Sequence, residues 1–409
     1  MGRAVEARFG KRAVPYEPGA RPFSAAGQRL ARGNRQPFYR AVSPPQVALA
    51  TRLAGLDLLR LFAALAVLLF HFGYAGPTRS LMQTGFPELA AVGKYGFLGV
   101  DLFFLISGFV IAVSAQGRTW SQFGVSRLVR LYPAHVFCMT VTAIVLASVG
   151  STAALPPAPT TFVQWLANLT MFAPAFGQPF MDGVYWSIVI EIVFYGWVGV
   201  FMALGLFQRR LLTIIAVWLA IAFVNESLYQ WRPLRLALIT EYAGMFASGI
   251  LIHRIRAGER GLATFALLGF AVVLGALHAF EAQRVVARFY GDTVDVGLMW
   301  LLLGGVYAVF CGALYVSRRL PSTPLVLTLG GLTYPLYLVH QSAGYVLIDR
   351  MAPSMGRWAA LGLTVAAAVA VAWIAYRFVE PAGRDVLKRA MRNLLAAQQG
   401  PIGVTPARQ

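Results

Sequence analysis

Charge is what this chain has least of. Only 12% of its 409 residues are Asp, Glu, Lys or Arg, against 58% hydrophobic ones. A soluble chain of this length needs far more charge to cover its surface, so a soluble globular fold is excluded. Acidic residues are scarcer still, 16 against 35 Lys and Arg, for a formal net charge of +19. In a soluble protein that imbalance would suggest a nucleic-acid partner. Here the basic residues fall in the tails and between alternate apolar runs, the positive-inside pattern of membrane proteins, and no nucleic-acid partner is expected. There are two cysteines, Cys138 and Cys311, both inside apolar runs. That argues against a disulfide framework and a cysteine-based metal site, and no metal centre is expected. HExxH, a Walker loop, a dinucleotide GxGxxG and GxSxG are all missing. So is any internal repeat of the kind from which many transporter folds are built.

What the chain has is apolar length. Runs recur near 54–74, 96–115, 131–149, 184–206, 211–225, 236–253, 262–280, 295–316, 325–348 and 358–378. The expectation is an all-α, polytopic membrane protein with about ten transmembrane helices. An even count puts both termini on one side. The even-numbered runs are followed by the basic clusters Arg118/Arg127/Arg130, Arg209/Arg210, Arg254/Arg256/Arg260 and Arg318/Arg319, and by a basic C-terminal tail. The termini are therefore read as cytoplasmic. Residues 1–50, rich in Arg, Pro, Gly and Ala, read as a disordered basic tail able to touch anionic headgroups. Residues 51–385 form the membrane domain, and 386–409 a second cytoplasmic tail. The first apolar run begins too late for a signal peptide, and Gly2 lacks the Ser or Thr of a myristoylation site. The external segment 150–183 has no Lys or Arg and carries an apolar stretch, FVQWLANLTMF. It reads equally as a lid or acceptor-binding element and as a plain surface loop.

The few ionisable groups inside the runs are the functional candidates, because charge in hydrocarbon is costly. The first run, GLDLLRLFAALAVLLFHFGY, carries Asp57, Arg60 and His71. Arg60 and His71 are eleven residues apart, close to three helical turns, so they share a face at a separation of roughly 16 Å. The second run holds Asp101 and Ser107, with Gly99 and Gly108 allowing close helix contact. Asp101 serves either to orient a histidine or arginine or as a structural ion pair. Arg127 and Arg130, three residues apart, project from one face at the basic side. They suit a phosphorylated ligand as well as they suit membrane anchoring. The fourth run opens with Trp186 and Ser187 and carries Glu191 about two turns inside, where a carboxyl needs a partner or a proton. His340 follows an aromatic stretch in the ninth run. As a set, these residues suggest group transfer from a cytosolic phosphorylated donor, with His71 as base or nucleophile. They would equally form the polar relay of a transporter or flippase.

The motifs also resemble a known family, the acyltransferase family 3 membrane proteins, over about residues 52–385. The resemblance rests on Arg60 and His71 in the first helix, GVDLFFLISGF at 99–109, RLVRLYP at 127–133, WSIVIEIVFY at 186–195 and TYPLYLVH at 333–340. It implies an enzyme of the bacterial inner membrane that O-acylates a cell-surface glycan, a lipid-linked acceptor or a related hydroxyl. The implied donor is acyl-CoA, with acetyl-CoA the usual one, and no cofactor is permanently bound. It implies His71, Arg60 and Glu191 as catalytic residues and Arg127 and Arg130 at the CoA phosphates. Asp57, Asp101, Ser107, Trp186, Ser187, Tyr337 and His340 would support them. The chain departs from the family pattern at Ile192, where a second carboxylate is usual.

Overall fold

A computed structural model describes residues 53–149 and 160–398, and every regular element in them is a helix. The basic tail of residues 1–50, the start of the external segment and the last residues of the C-terminal tail lie outside the described residues. Each apolar run forms helix. The main elements are α1 (Ala54–Phe70), α2 (Leu98–Ala115), α3 (Trp120–Val149), α4 (Tyr185–Ala203), α5 (Leu211–Val224), α6 (Ala243–Arg256), α7 (Leu262–Tyr290) and α8 (Val296–Val316). They are followed by α9 (Pro324–Val339), α10 (Gln341–Met355), α11 (Arg357–Ile374) and α12 (Glu380–Gln398).

By length and composition, eight helices among the described residues can cross a membrane. A ninth span is reached if α6 and the short helix before it, bent by 61°, count as one. The ninth apolar run does not make one long helix. It stops at His340 and restarts as α10. Both broken ends are satisfied. The His340 ring turns back on the last carbonyls of α9, with Nδ1 2.9 Å from the Tyr337 oxygen. Asp182 accepts the α10 amide of Ser342 at 2.9 Å. A helix interrupted inside a membrane protein needs such partners for its orphaned backbone groups.

The centre is built on α1 and α2. Helix α1 packs against α2, α8 and α9, and α2 packs against α6. Small residues set these distances. Gly96 and Gly99 lie on the α1 backbone at Ala66 and Ala63. Gly108 of α2 and Gly249 of α6 face each other's helix, so that a Cβ on either would fall onto backbone of the other. Without a hydrophobic effect between helices in lipid, such close approach supplies the packing attraction. Aromatic rings fill the space around the glycine contact, with Phe246 4.8 Å from Phe104 and 4.1 Å from Phe194 between centroids.

The described part of the external segment is ordered by one buried residue. Thr161 caps the short helix Phe162–Leu169. Asn168, within it, accepts from the Met181 amide at 2.9 Å and donates to the Pro179 carbonyl at 3.0 Å. His135 of α3 donates to the Asn168 carbonyl at 2.9 Å. The segment is thus stitched to the bundle, and its end supplies Gly183 to the site and Asp182 to the start of α10.

Candidate active site

Two cavities lie one behind the other along α1 and α2, and Val100 lines both. The inner one, about 90 Å³, is walled by Arg60, Ser107, Arg127, Arg130, Glu191 and Tyr195, among others. Three guanidiniums and one carboxylate thus meet in a narrow space. Arg60, Arg127 and Glu191 are each held differently. Arg60 pairs with Asp57 at 3.0 Å, one helical turn away on α1. Arg127 lies 5.9 Å from the centroids of both Phe123 and Tyr195, within cation–π range. Glu191 accepts from the Ser107 hydroxyl at 2.8 Å and from the Tyr195 hydroxyl. Ser187 donates to the Val184 carbonyl at 2.9 Å, which leaves its oxygen to accept from Tyr337, 2.7 Å away. On the neighbouring face of α3 runs a wider groove of about 830 Å³, lined by Arg118, Ser126, Lys388 and Arg389 among others.

The outer cavity, about 350 Å³, contains His71, Asp101, Trp186, Glu241, His278 and Gln341. His71 begins a turn of π-helix, His71–Ala75, at the end of α1. Such widened turns are rare and recur at functional sites. The His71 ring is fixed from behind. Its Nδ1 lies 2.8 Å from Nε2 of His340, and His340 is fully buried. The carbonyl of Tyr337 can only accept, so His340 carries its proton on Nδ1. In the uncharged pair His340 Nε2 is then an acceptor, and the shared proton sits on His71 Nδ1. That leaves the lone pair of His71 on Nε2. A carbonyl and two imidazoles in series thus assign the tautomer, as second groups do for catalytic and metal-bound histidines.

Arg60, in α1, and His71, in the π-helical turn that follows it, open into different cavities. Arg127, Arg130, Ser107, Ser187, Tyr337 and Glu191 gather around Arg60. Asp101, Trp186 and, through its ring, His340 gather around His71. Asp101 is buried, and its nearest titratable neighbour is His278, at 4.0 Å. His278 lies near the end of the seventh apolar run, where a histidine can meet water and needs no special role. Helix α7 runs on to Tyr290, which carries His278 into the cavity, 3.9 Å from Glu241. Tyr195, Glu241, Gln341 and Asp182 were also passed over. Asp182 had one signal, as the only acidic residue in a segment without other charge. Burial pushes its carboxyl up to about 7, against the opposing pull of the Ser342 and Val184 amides.

A family described as an acyltransferase domain matches residues 53–377, from α1 to the end of α11. The chain belongs to acyltransferase family 3. Two characterised relatives agree. Acyltransferase MdmB of Streptomyces mycarofaciens is 30% identical over 161 residues, covering 37% of this chain and 39% of its own. Peptidoglycan O-acetyltransferase OatA of Listeria monocytogenes is 24% identical over 369 residues, covering 80% of this chain and 54% of its own. The chain thus spans about half the length, or less, of these relatives. No solved structure matches it. The family, the helical architecture and the candidate spans make this a multi-pass membrane protein with an acyltransferase domain.

Proposed function

We propose that this protein moves an acyl group, normally acetyl, from cytosolic acyl-CoA to a hydroxyl of a cell-surface glycan, glycolipid or related acceptor. It does so in the bacterial inner membrane, with both termini cytoplasmic. The observation that carries the reading is the free Nε2 of His71, set by the His340 and Tyr337 chain behind it. A base so oriented, in a cavity that adjoins a cationic one at Val100, fits acyl transfer between ligands entering from opposite sides.

The donor enters from the basic side. Arg127 and Arg130 take its phosphates, since guanidinium binds phosphate through paired hydrogen bonds. The groove bearing Arg118, Lys388 and Arg389 gives room and charge for the nucleotide end. The narrow inner cavity admits only a thin arm, and the thioester arrives beside Val100. Arg60, held by Asp57, and Glu191, held by Ser107 and Tyr195, set the charge along that arm. The acceptor hydroxyl reaches His71 from the outer cavity. Nε2 takes its proton as the oxygen attacks the thioester carbon. The carbon–sulfur bond breaks, and the leaving thiolate takes the proton from His71, so the base is restored and free CoA departs. General-base assistance of this kind is worth roughly 10²–10⁴-fold. The printed name of the Listeria relative, a peptidoglycan O-acetyltransferase, supports both the acyl group and the hydroxyl acceptor.

The test is to supply membranes containing the protein with acetyl-CoA labelled in the acetyl group. Label is expected to move into a glycan or lipid fraction with release of one CoA per acetyl transferred. Solute flux across the membrane without CoA release would overturn the reading in favour of a transporter.

A further inference from the structure

A separate cavity of about 400 Å³ lies between α4, α5 and α6, away from the site described above. Helices α4 and α5 follow each other in the chain, yet their backbones scarcely approach each other. Each gives the cavity one face. Phe194, Trp197, Val198 and Phe201 line it from α4. Ile214, Val217, Trp218 and Ile221 line it from α5 with the same spacing, that of a single helix face. Trp197 and Val217 are exposed, so the cavity opens sideways, toward lipid. The break before α6 supplies a third wall, Leu238 and Ile239. Ile239 stands there in the left-handed conformation, at φ 53°, which is costly for a β-branched residue. The Trp197 indole donates to the Ala237 carbonyl at 2.6 Å and the Trp218 indole to the Leu238 carbonyl at 2.5 Å. Both indole donors are thus used on the break, and the rings offer the cavity apolar surface. Among the lining side chains only Arg210 is charged, and only Thr213 carries a hydroxyl. The Arg210 guanidinium is exposed and has no hydrogen-bond or ion-pair partner among the described residues.

We infer that this cavity binds one anionic phospholipid, with an acyl chain between α4 and α5 and the phosphate on Arg210. The length fits. Arg210 precedes α5 and Ile221 stands eleven residues further on, so the slot runs roughly 16 Å along the helix. That is the hydrocarbon depth of one leaflet, half of about 30 Å. The charge fits as well. Guanidinium binds phosphate through paired hydrogen bonds, and the lining offers no carboxylate to the ammonium of a zwitterionic headgroup. Selectivity rests on this end of the site, because surrounding lipid tails are as apolar as the slot itself. The tail has a structural consequence. Phe194 of the slot lies 4.1 Å from Phe246, which lies 4.8 Å from Phe104 on the wall of the inner cavity. A chain against Phe194 supports that aromatic stack, and a ligand held by the folded state alone stabilises it. The inference stands independently of the acyl-transfer reading.

The experiment titrates delipidated full-length protein in detergent with phosphatidylglycerol or phosphatidylcholine and reads each bound lipid by native mass spectrometry. The wild type is expected to bind its first phosphatidylglycerol at least roughly tenfold tighter than its first phosphatidylcholine, the scale of one charged hydrogen bond. Arg210→Gln removes that preference and Arg210→Lys keeps most of it. Arg209→Gln, next in the chain but outside the lining, leaves it unchanged. Val217→Trp, which fills the slot from an exposed position, weakens the first lipid of either kind. Leu204→Trp, equally exposed to the outside but not on the lining, does not. Thermal unfolding measured alongside shows phosphatidylglycerol raising the melting temperature of the wild type and not of Arg210→Gln. Glycerol phosphate in large excess leaves the lipid in place, because the tail contributes to binding. Equal first affinities for the two lipids, the wild-type preference in Arg210→Gln, an equal loss in Arg209→Gln, or displacement by glycerol phosphate would overturn the site.

Discussion

Replacing His340 by alanine removes the acceptor for His71 Nδ1 and leaves every residue lining the two cavities in place. A buried donor without a partner costs about 1–3 kcal/mol. His71 can escape that cost by moving its proton to Nε2, the nitrogen that must be bare to act as base. The productive tautomer is then disfavoured by the same amount, and kcat should fall roughly 5- to 150-fold. The donor KM should hold, since Arg127 and Arg130 lie in the other cavity. The assay is initial-rate transfer from labelled acyl-CoA by purified protein, with thermal stability measured in parallel. Added imidazole, filling the space left by the ring, should restore part of the lost rate without altering the donor KM. A His340→Ala enzyme with wild-type kcat, or one whose loss lies wholly in the donor KM, would refute the tautomer argument.

Ala at both Arg127 and Arg130 should raise the donor KM by at least roughly tenfold, the scale of one lost charged hydrogen bond, and leave the acceptor KM unchanged. An unchanged donor KM in an initial-rate series would remove the phosphate-binding role. Asp182 makes stability depend on pH. Its folded pKa is raised from 3.8 to about 7 by burial, so its contribution is fully present below 3.8 and is lost as pH rises to about 7. Thermal unfolding should occur at lower temperature at pH 8 than at pH 5, and Asp182→Asn should flatten that difference; a variant with the wild-type slope would assign it elsewhere. Gly249→Val forces a side chain onto the α2 backbone at Leu105 and should cost at least about 1–3 kcal/mol. Gly269→Ala, with open space at its Cβ, should not destabilise; equal melting of the two variants would show that the glycine contact does not set the packing.

The helical class and the positions of the runs were legible because apolar length is a direct physical requirement of the bilayer. The interruption at His340 was not. LTYPLYLVHQ has the composition of one continuous span, and the break depends on two side chains distant or awkward in sequence: His340 turning back on its own helix, and Asp182 reaching across from another segment. The residues around Arg60 were legible one at a time, because each is an ionisable or polar group where the bilayer tolerates few. Their partition into two cavities was not, since it depends on how α2 packs against both α1 and α4. His278 was missed for a local reason: EAQRVVARF after residue 280 is polar enough to look like loop, yet continues α7 as an amphipathic helix. Gln341 carries no charge, and only its unpaired oxygen in the folded chain marks it.

The central claim is that His71 Nε2 takes the proton of the acceptor hydroxyl. The most direct measurement compares transfer of labelled acetyl from acetyl-CoA by wild-type and His71→Ala protein, in membranes matched for the amount of folded enzyme. The wild type should label a glycan or lipid fraction, and His71→Ala should lose at least roughly 10²-fold of that rate while still binding CoA. Equal labelling by the two proteins would contradict the account.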